Sequence, residues 1–129
     1  MATILRFEEL DGWKMARDLT KDIYRISSET KFSRDFVLCN QIRSASISIM
    51  SNIAEGFERD GNKEFSNFLS IAKGSAGEVR SQLYVAMDQN YISNSDFETI
   101  YKKADENGRL IGGLMKYLRT SDVRGLKFK

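Results

Sequence analysis

The residues with the clearest chemical potential are basic side chains near the amino terminus. They recur at steps of three and four, so on a helix they would share about 80° of arc. We call these residues the basic stripe: Lys14, Arg17, Lys21 and Arg25. Two aromatic residues, Trp13 and Tyr24, flank the basic stripe. Cations beside aromatic rings suit a nucleic-acid strand, because the cations contact phosphates and the rings stack on bases.

Acidic residues offer an alternative explanation of this pattern. Asp11, Asp18 and Asp22 run along the adjacent side of the same segment. Pairing at i,i+3 and i,i+4 would neutralise the basic stripe and leave an ordinary solvated face. The net charge is only +2, from 20 Lys and Arg against 18 Asp and Glu. Any basic surface must therefore be local, although repetition around a ring of subunits would sum it into a larger field.

Enzyme chemistry has little support in this sequence. There is no histidine, which removes the commonest general base and metal ligand. The spacing Glu55-x-x-Glu58 resembles half of the metal site of all-helical nucleotide pyrophosphohydrolases, but the next helix offers only Glu78 with Gln82. Cys39 is interpreted as a small buried side chain, since no histidine or second cysteine could activate it. We expect no catalytic residue, no metal and no cofactor.

Composition and periodicity predict long helices to position these residues. The 129 residues include no proline and nine glycines, a composition that disfavours a turn-rich β-fold. Apolar residues repeat at helical spacing over about 10–29, 33–59, 62–90 and 95–119, and a basic tail follows over 120–129. Ser33, Gly61 and Ser95 are the predicted N-terminal caps. Because short breaks force neighbouring helices antiparallel, the predicted fold is a single all-α domain, an antiparallel up-down-up-down four-helix bundle.

The second predicted helix lacks a charged face. Its segment 44–54 contains no charged residue, and a second apolar stripe lies beside the core stripe. Every helix of a four-helix bundle is peripheral, so the extra cover is predicted to come from another subunit. A monomer of different topology with this helix at its centre is the alternative. The candidate interface residues are Phe36, Ile47, Met50, Ala54, Phe57, Ile71 and Val85.

Longer motifs connect the chain to a known family. The runs FEEL from Phe7, QIR from Gln41, SNIAEG from Ser51 and IAKGSAGE from Ile71 resemble bacterial four-helix-bundle proteins encoded in intervening sequences of large-subunit ribosomal RNA genes. The resemblance implies a bundle that assembles as a homopentamer. It also implies kinship with the accessory variability protein of diversity-generating retroelements, which binds nucleic acid through a basic surface and partners a reverse transcriptase.

One departure from the family pattern affects the basic surface. Ser44 stands where a second arginine often follows Arg43 in these proteins. The substitution removes one cation from a surface that would contact phosphates, whereas the packing residues of the motifs are all present.

These observations favour a non-catalytic homo-oligomer that binds RNA or DNA. Its candidate nucleic-acid-binding residues are Lys14, Arg17, Lys21, Arg25, Arg43, Arg59, Arg124, Lys127 and Lys129. A scaffold that binds a protein partner and no nucleic acid is the second hypothesis, and a small helical phosphohydrolase is the third. The start of the sequence lacks a basic-then-apolar secretory pattern, so we expect a cytoplasmic protein. No run of about 20 apolar residues is present, so we expect no membrane partner.

Overall fold

The structure is a computed structural model, and it describes residues 3–120. A short 3₁₀ turn, Phe7–Glu9, precedes five α-helices, and this part of the chain contains no strand. The helices are α1 (Asp11–Ser27), α2 (Thr30–Ser33), α3 (Phe36–Glu58), α4 (Asn62–Asp88) and α5 (Asn94–Thr120). The predicted basic tail lies outside the described residues from position 121 onward.

Contacts between the four long helices define an antiparallel bundle. Helix α3 packs against α1 and α4, and α5 packs against α4 and closes the bundle against α1. Residues early in α3 meet the end of α1: Arg43 bonds to Ser27, whereas the carbonyl of Ser46 accepts a bond from Thr20. Helices α4 and α5 are also antiparallel, as the Arg80–Asp105 ion pair shows together with the closeness of Gly112 to Lys73. The predicted all-α bundle is confirmed.

All five helices contribute to one apolar core. Burying a large aliphatic side chain stabilises the fold by about 1.5–3 kcal/mol, so the apolar stripe of each helix determines which face turns inward. The largest fully buried side chains include Leu19, Ile23, Phe32, Ile42, Ile49, Phe65, Leu69, Leu83, Ile100 and Ile111. All of these residues except Phe32 lie within the apolar repeats of the four predicted helices, and Phe32 belongs to α2, which was not predicted.

Two helix starts differ from the predicted caps. Ser33 does not cap the helix that follows, because it is the last residue of the short helix α2, which places Phe32 in the core. Asp35 caps α3 instead, since its carboxylate accepts a hydrogen bond from the amide of Leu38 at 3.0 Å. Ser93 caps α5 in place of Ser95, and its hydroxyl accepts a bond from the amide of Asp96 at 3.0 Å.

The break between α3 and α4 requires glycine. Gly61 has φ +82°, a left-handed backbone conformation that glycine adopts without the steric penalty of a Cβ atom. It is the residue before α4 and supplies no side-chain cap. Helix α4 therefore begins at the predicted place without a side-chain cap from Gly61. None of the helices within residues 3–120 has the length and apolar character needed to cross a membrane.

Candidate nucleic-acid interface

Two acidic residues of α1, Asp18 and Asp22, bind a lysine of α5. The ammonium nitrogen of Lys103 lies 2.8 Å from a carboxylate oxygen of Asp18 and 2.7 Å from one of Asp22. Hydrogen bonds with Asp18 and Asp22 raise the pKa of Lys103. This lysine is therefore charged at neutral pH and binds both carboxylates across the α1–α5 interface.

Most of the basic stripe is left without an anionic partner. Lys14, Arg17 and Lys21 are exposed, and none of them forms an ion pair with another residue in the described part of the chain. They line a shallow groove of about 420 Å³. Two acidic residues also line this groove, but Glu8 pairs with Arg6 and Asp18 pairs with Lys103. The guanidinium carbon of Arg17 lies 5.8 Å from the ring centroid of Trp13, which orients this arginine. These three cations form a local positive surface.

Arg25, the fourth member of the basic stripe, points elsewhere. Its Nη2 atom lies 3.4 Å from Oδ1 of Asp96 and 3.8 Å from Oδ1 of Asp22. Both carboxylates lie on the α1–α5 side of the bundle. Arg25 therefore belongs to an ion-pair network between helices, and the structure does not bring it together with the other three cations.

Arg43 extends the positive surface from α1 onto α3. Its guanidinium carbon lies 4.6 Å from the ring centroid of Tyr24, which is one helical turn from Lys21. Its Nε donates to the hydroxyl of Ser27 at 2.8 Å, and its Nη2 donates to the hydroxyl of Ser28 at 3.3 Å. These bonds hold the guanidinium plane against the ring and so preorganise it. We call Lys14, Arg17, Lys21 and Arg43 the α1–α3 basic surface.

The remaining candidate cations lie apart from this surface. Arg59 follows the last residue of α3, 16 positions from Arg43 and about 24 Å away along the helix. It forms ion pairs with Glu55 at 3.0 Å and Glu64 at 3.5 Å, and it stacks on Phe68. The other three candidates, Arg124, Lys127 and Lys129, lie outside the described residues.

The candidate interface residues divide into exposed, half-buried and buried positions. The exposed fractions are 74% for Phe36, 42% for Ile47, 53% for Ile71 and 42% for Val85. Met50 and Ala54 are half-buried in the single chain. Phe57 is buried, with its ring 6.0 Å from that of Phe65, because it lies on the side of α3 that faces the core. Phe57 is therefore a core residue of the single chain.

Part of α3 presents an exposed face without charged residues. Ser44, Ile47 and Ser51 are exposed, and Ser48 shares a hydrogen bond of 2.9 Å with Ser75 of α4. The segment 44–54 is thus not enclosed on all sides by its own chain. Sequence reasoning missed Val37, which is 74% exposed beside Phe36. A signal was present, because Val37 adds a second large apolar residue at the start of the same helix.

The residues considered for metal or thiol chemistry have structural roles. Within residues 3–120, no group of three or more acidic, cysteine or histidine side chains could hold a metal ion. Glu55 accepts a hydrogen bond from Arg59. The thiol of Cys39 is buried and lies 3.3 Å from the carbonyl oxygen of Phe32. Burial raises the pKa of this thiol, which disfavours the reactive thiolate.

The protein is thus defined by its fold as an all-α bundle, and its surface carries separate basic and apolar regions. The sequence model of the 23S rRNA-intervening sequence protein family matches residues 8–113. The chain belongs to this family, as the motifs predicted.

The fold is shared with a protein of known structure. It is a protein of unknown function from the S23 ribosomal protein family of Bacteroides thetaiotaomicron VPI-5482, and it aligns with a TM-score of 0.74 and 24% sequence identity. The alignment covers 81% of this chain and 98% of that chain. No protein with a curated description matches this sequence.

Proposed function

We propose that this protein is a non-catalytic RNA-binding protein that acts as a homo-oligomer. The observation that carries the proposal is the engagement of Asp18 and Asp22 by Lys103. Because Lys103 pairs with these carboxylates, the neighbouring cations Lys14, Arg17 and Lys21 are available to phosphate groups. The family's description names 23S rRNA, so a structured ribosomal RNA fragment is the first ligand to test.

The chemistry of the α1–α3 basic surface suits phosphate contacts more than base readout. Lysine ammonium groups act as mobile point charges, which tolerate different phosphate positions. Arg43 is held against Tyr24 and presents a fixed donor plane at the edge of this surface. Such a surface would bind with little dependence on sequence and with strong dependence on salt.

Self-association is the second part of the proposal. Phe36, Val37 and Ile47 expose large apolar side chains on α3, and Ile47 lies in the segment 44–54, which contains no charged residue. Exposed apolar surface of this kind typically marks an interface. A closed ring would repeat the α1–α3 basic surface on every subunit and strengthen the total field. The expected number of copies is five, as the family resemblance implies, and the expected location is the cytoplasm.

The test compares RNA affinity between charge-reversal variants of the full chain. Lys14→Glu combined with Lys21→Glu should weaken binding to the ribosomal RNA fragment and leave the oligomer intact. Lys21→Glu alone should weaken binding more than Lys102→Glu, which reverses an exposed charge on α5 away from the surface. Equal affinities for these two single variants would contradict the assignment of the surface. If no variant and no wild-type protein bound RNA, the protein-scaffold hypothesis would replace this one.

A further inference from the structure

A second basic surface runs along the outer groove between α4 and α5. Two adjoining cavities of about 490 and 540 Å³ share the lining residues Ser70, Met115 and Arg119, so they form one continuous groove. The cations that line it are Lys63, Lys73, Arg80 and Arg119. Neither cavity has an acidic lining residue. The α4–α5 groove is therefore suited to an anionic ligand.

Three of the four cations of this groove have no acidic partner within residues 3–120. Lys63, Lys73 and Arg119 are exposed and form no ion pair with other residues of the described chain. At the far end of the groove, Arg80 lies 3.5 Å from Asp105. The same carboxylate also accepts a bond from Arg109 at 3.0 Å. Two guanidinium groups thus share one anion, and the groove keeps a net positive charge.

Small residues allow a ligand to approach the helix backbones. No other side chain lies within 4 Å of the place where a Cβ atom of Gly74 would stand. A Cβ atom at Gly77 would stand 3.7 Å from Nη2 of Arg80. A Cβ atom at Gly112 would stand 3.2 Å from Cε of Lys73. This lysine lies across the floor of the groove, with its ammonium group at the end of a flexible chain.

An aromatic cluster adjoins the basic end of the groove. Tyr84 follows Arg80 by one helical turn and is 52% exposed. Its ring centroid lies 5.0 Å from that of Phe97 and 5.6 Å from that of Tyr101. The rings of Phe97 and Tyr101 lie 5.4 Å apart, and both pack against Tyr84. An exposed ring held by two others loses little entropy on stacking against a flat ligand.

We propose that the α4–α5 groove binds single-stranded RNA, with phosphates at Lys63, Lys73 and Arg119 and an unpaired base stacked on Tyr84. A positive groove that leads to an exposed aromatic ring is the arrangement by which proteins hold single strands. From Lys73 to Tyr84 the distance along α4 is about 16 Å, so one strand spans both features. A duplex would not suit this site, because its bases are already stacked.

This inference rests on the proposed function for its ligand class, but it concerns a different face of the molecule. Helix α4 packs against α3 and α5, whereas the α1–α3 basic surface lies on α1 and one edge of α3. The two surfaces would therefore contact separate segments of an RNA that has both paired and unpaired regions. Variants of each surface can be tested without changing the other.

The first experiment measures the affinity of the full chain for a uridine 12-mer of RNA. Tyr84→Ala should weaken binding by about 5- to 150-fold, which is the loss of one stacked base, and Tyr84→Phe should retain affinity because it keeps the ring. Lys73→Glu combined with Arg119→Glu should flatten the slope of log affinity against log salt by about 0.7 per lost contact. Circular dichroism checks that each variant is folded.

Cross-linking and competition experiments distinguish base stacking on Tyr84 from simple phosphate binding. Photo-cross-linking of a 5-iodouridine strand should label Tyr84, and inorganic triphosphate should compete only weakly. Strong competition by triphosphate together with unchanged affinity of Tyr84→Ala would show a phosphate site without stacking and overturn the proposal. Loss of 12-mer binding in Lys14→Glu/Lys21→Glu, with no effect of the groove variants, would also overturn it while leaving the proposed function intact. Loss only in the groove variants would support the α4–α5 groove and remove the role of the α1–α3 basic surface.

Discussion

The ammonium nitrogen of Lys103 lies 2.7 Å from Oδ2 of Asp22, and this contact joins the last helix of the bundle to the first. Lys103 is 36% exposed and Asp22 is 18% exposed. Pairs that solvent reaches typically contribute about 0–1 kcal/mol to stability. The larger consequence concerns surface charge, because this pair and the one with Asp18 bind both carboxylates to Lys103, whereas Lys14, Arg17 and Lys21 form no ion pair within the described residues.

Replacing Lys103 should therefore weaken RNA binding indirectly. In Lys103→Met, the carboxylates of Asp18 and Asp22 lose their cationic partner. Their negative charges then repel RNA phosphates near the α1–α3 basic surface. The control Lys102→Met removes an equal charge from the exposed neighbouring position. We expect Lys103→Met to reduce affinity for the ribosomal RNA fragment several-fold more than the control in a fluorescence anisotropy titration. Identical affinities would show that these carboxylates have no influence on binding.

The contribution of Lys103 to stability should depend on pH in a definite direction. Its pKa is raised above the ordinary value of 10.5 by Asp18 and Asp22, so the folded state binds this proton more tightly than the unfolded state. The stabilisation is fully present below pH 10.5 and is lost as pH rises through the folded-state pKa. The difference in unfolding free energy between wild type and Lys103→Met should be constant from about pH 7 to 9 and shrink above pH 10.5. A difference that increases with pH in urea titrations would contradict the ion-pair assignment.

A methyl group at Gly56 should destabilise the bundle. A Cβ atom there would stand 2.8 Å from Cβ of Phe68 and 3.2 Å from the carbonyl oxygen of Phe65. Relief requires α3 and α4 to separate, and overpacking of this kind costs about 1–3 kcal/mol. Gly74→Ala is the matched control, since nothing lies within 4 Å of its Cβ position and alanine favours the helix by up to about 1 kcal/mol. Urea midpoints should fall for Gly56→Ala and stay equal or rise for Gly74→Ala, and a reversed order would contradict the close approach.

A charge on the exposed face of α3 should disperse the oligomer. Ile47 is 42% exposed in the single chain, so glutamate fits the folded subunit but not an apolar contact between subunits. Leu110→Glu is the control, because Leu110 is 40% exposed on α5. Sedimentation velocity should show lower mass for Ile47→Glu and unchanged mass for Leu110→Glu. A wild-type protein that sediments as a 14.8 kDa monomer at micromolar concentration would refute self-association.

Apolar periodicity was sufficient to predict the bundle and most of its core. Stripes such as Leu19 with Ile23 are buried where predicted, because burial of apolar area decides which face of a helix turns inward. The helix caps were harder to predict. Both Ser93-x-x-Asp96 and Ser95-x-x-Glu98 have the capping-box spacing, so only the path of the connecting loop distinguishes them.

The charge balance around the α1–α3 basic surface could not be predicted from local sequence. Asp18 and Asp22 have possible partners within their own helix, and choosing Lys103, 81 positions beyond Asp22, requires knowledge of how α1 and α5 align. The α4–α5 groove depends in the same way on the alignment of Lys73 with Gly112. The family resemblance supplied the membership that residue patterns alone could not, and kinship with the retroelement accessory protein stays a prediction.

The most direct test of RNA binding by the α1–α3 basic surface is the salt dependence of affinity for a structured ribosomal RNA fragment, measured from about 50 to 200 mM salt. Wild-type protein should lose affinity steeply and linearly on a log-log plot. Lys14→Glu combined with Lys21→Glu should bind more weakly and flatten the slope by about one unit per lost phosphate contact. Wild-type binding that is absent at about 50 mM salt, or a slope that is the same in this variant, would contradict the account.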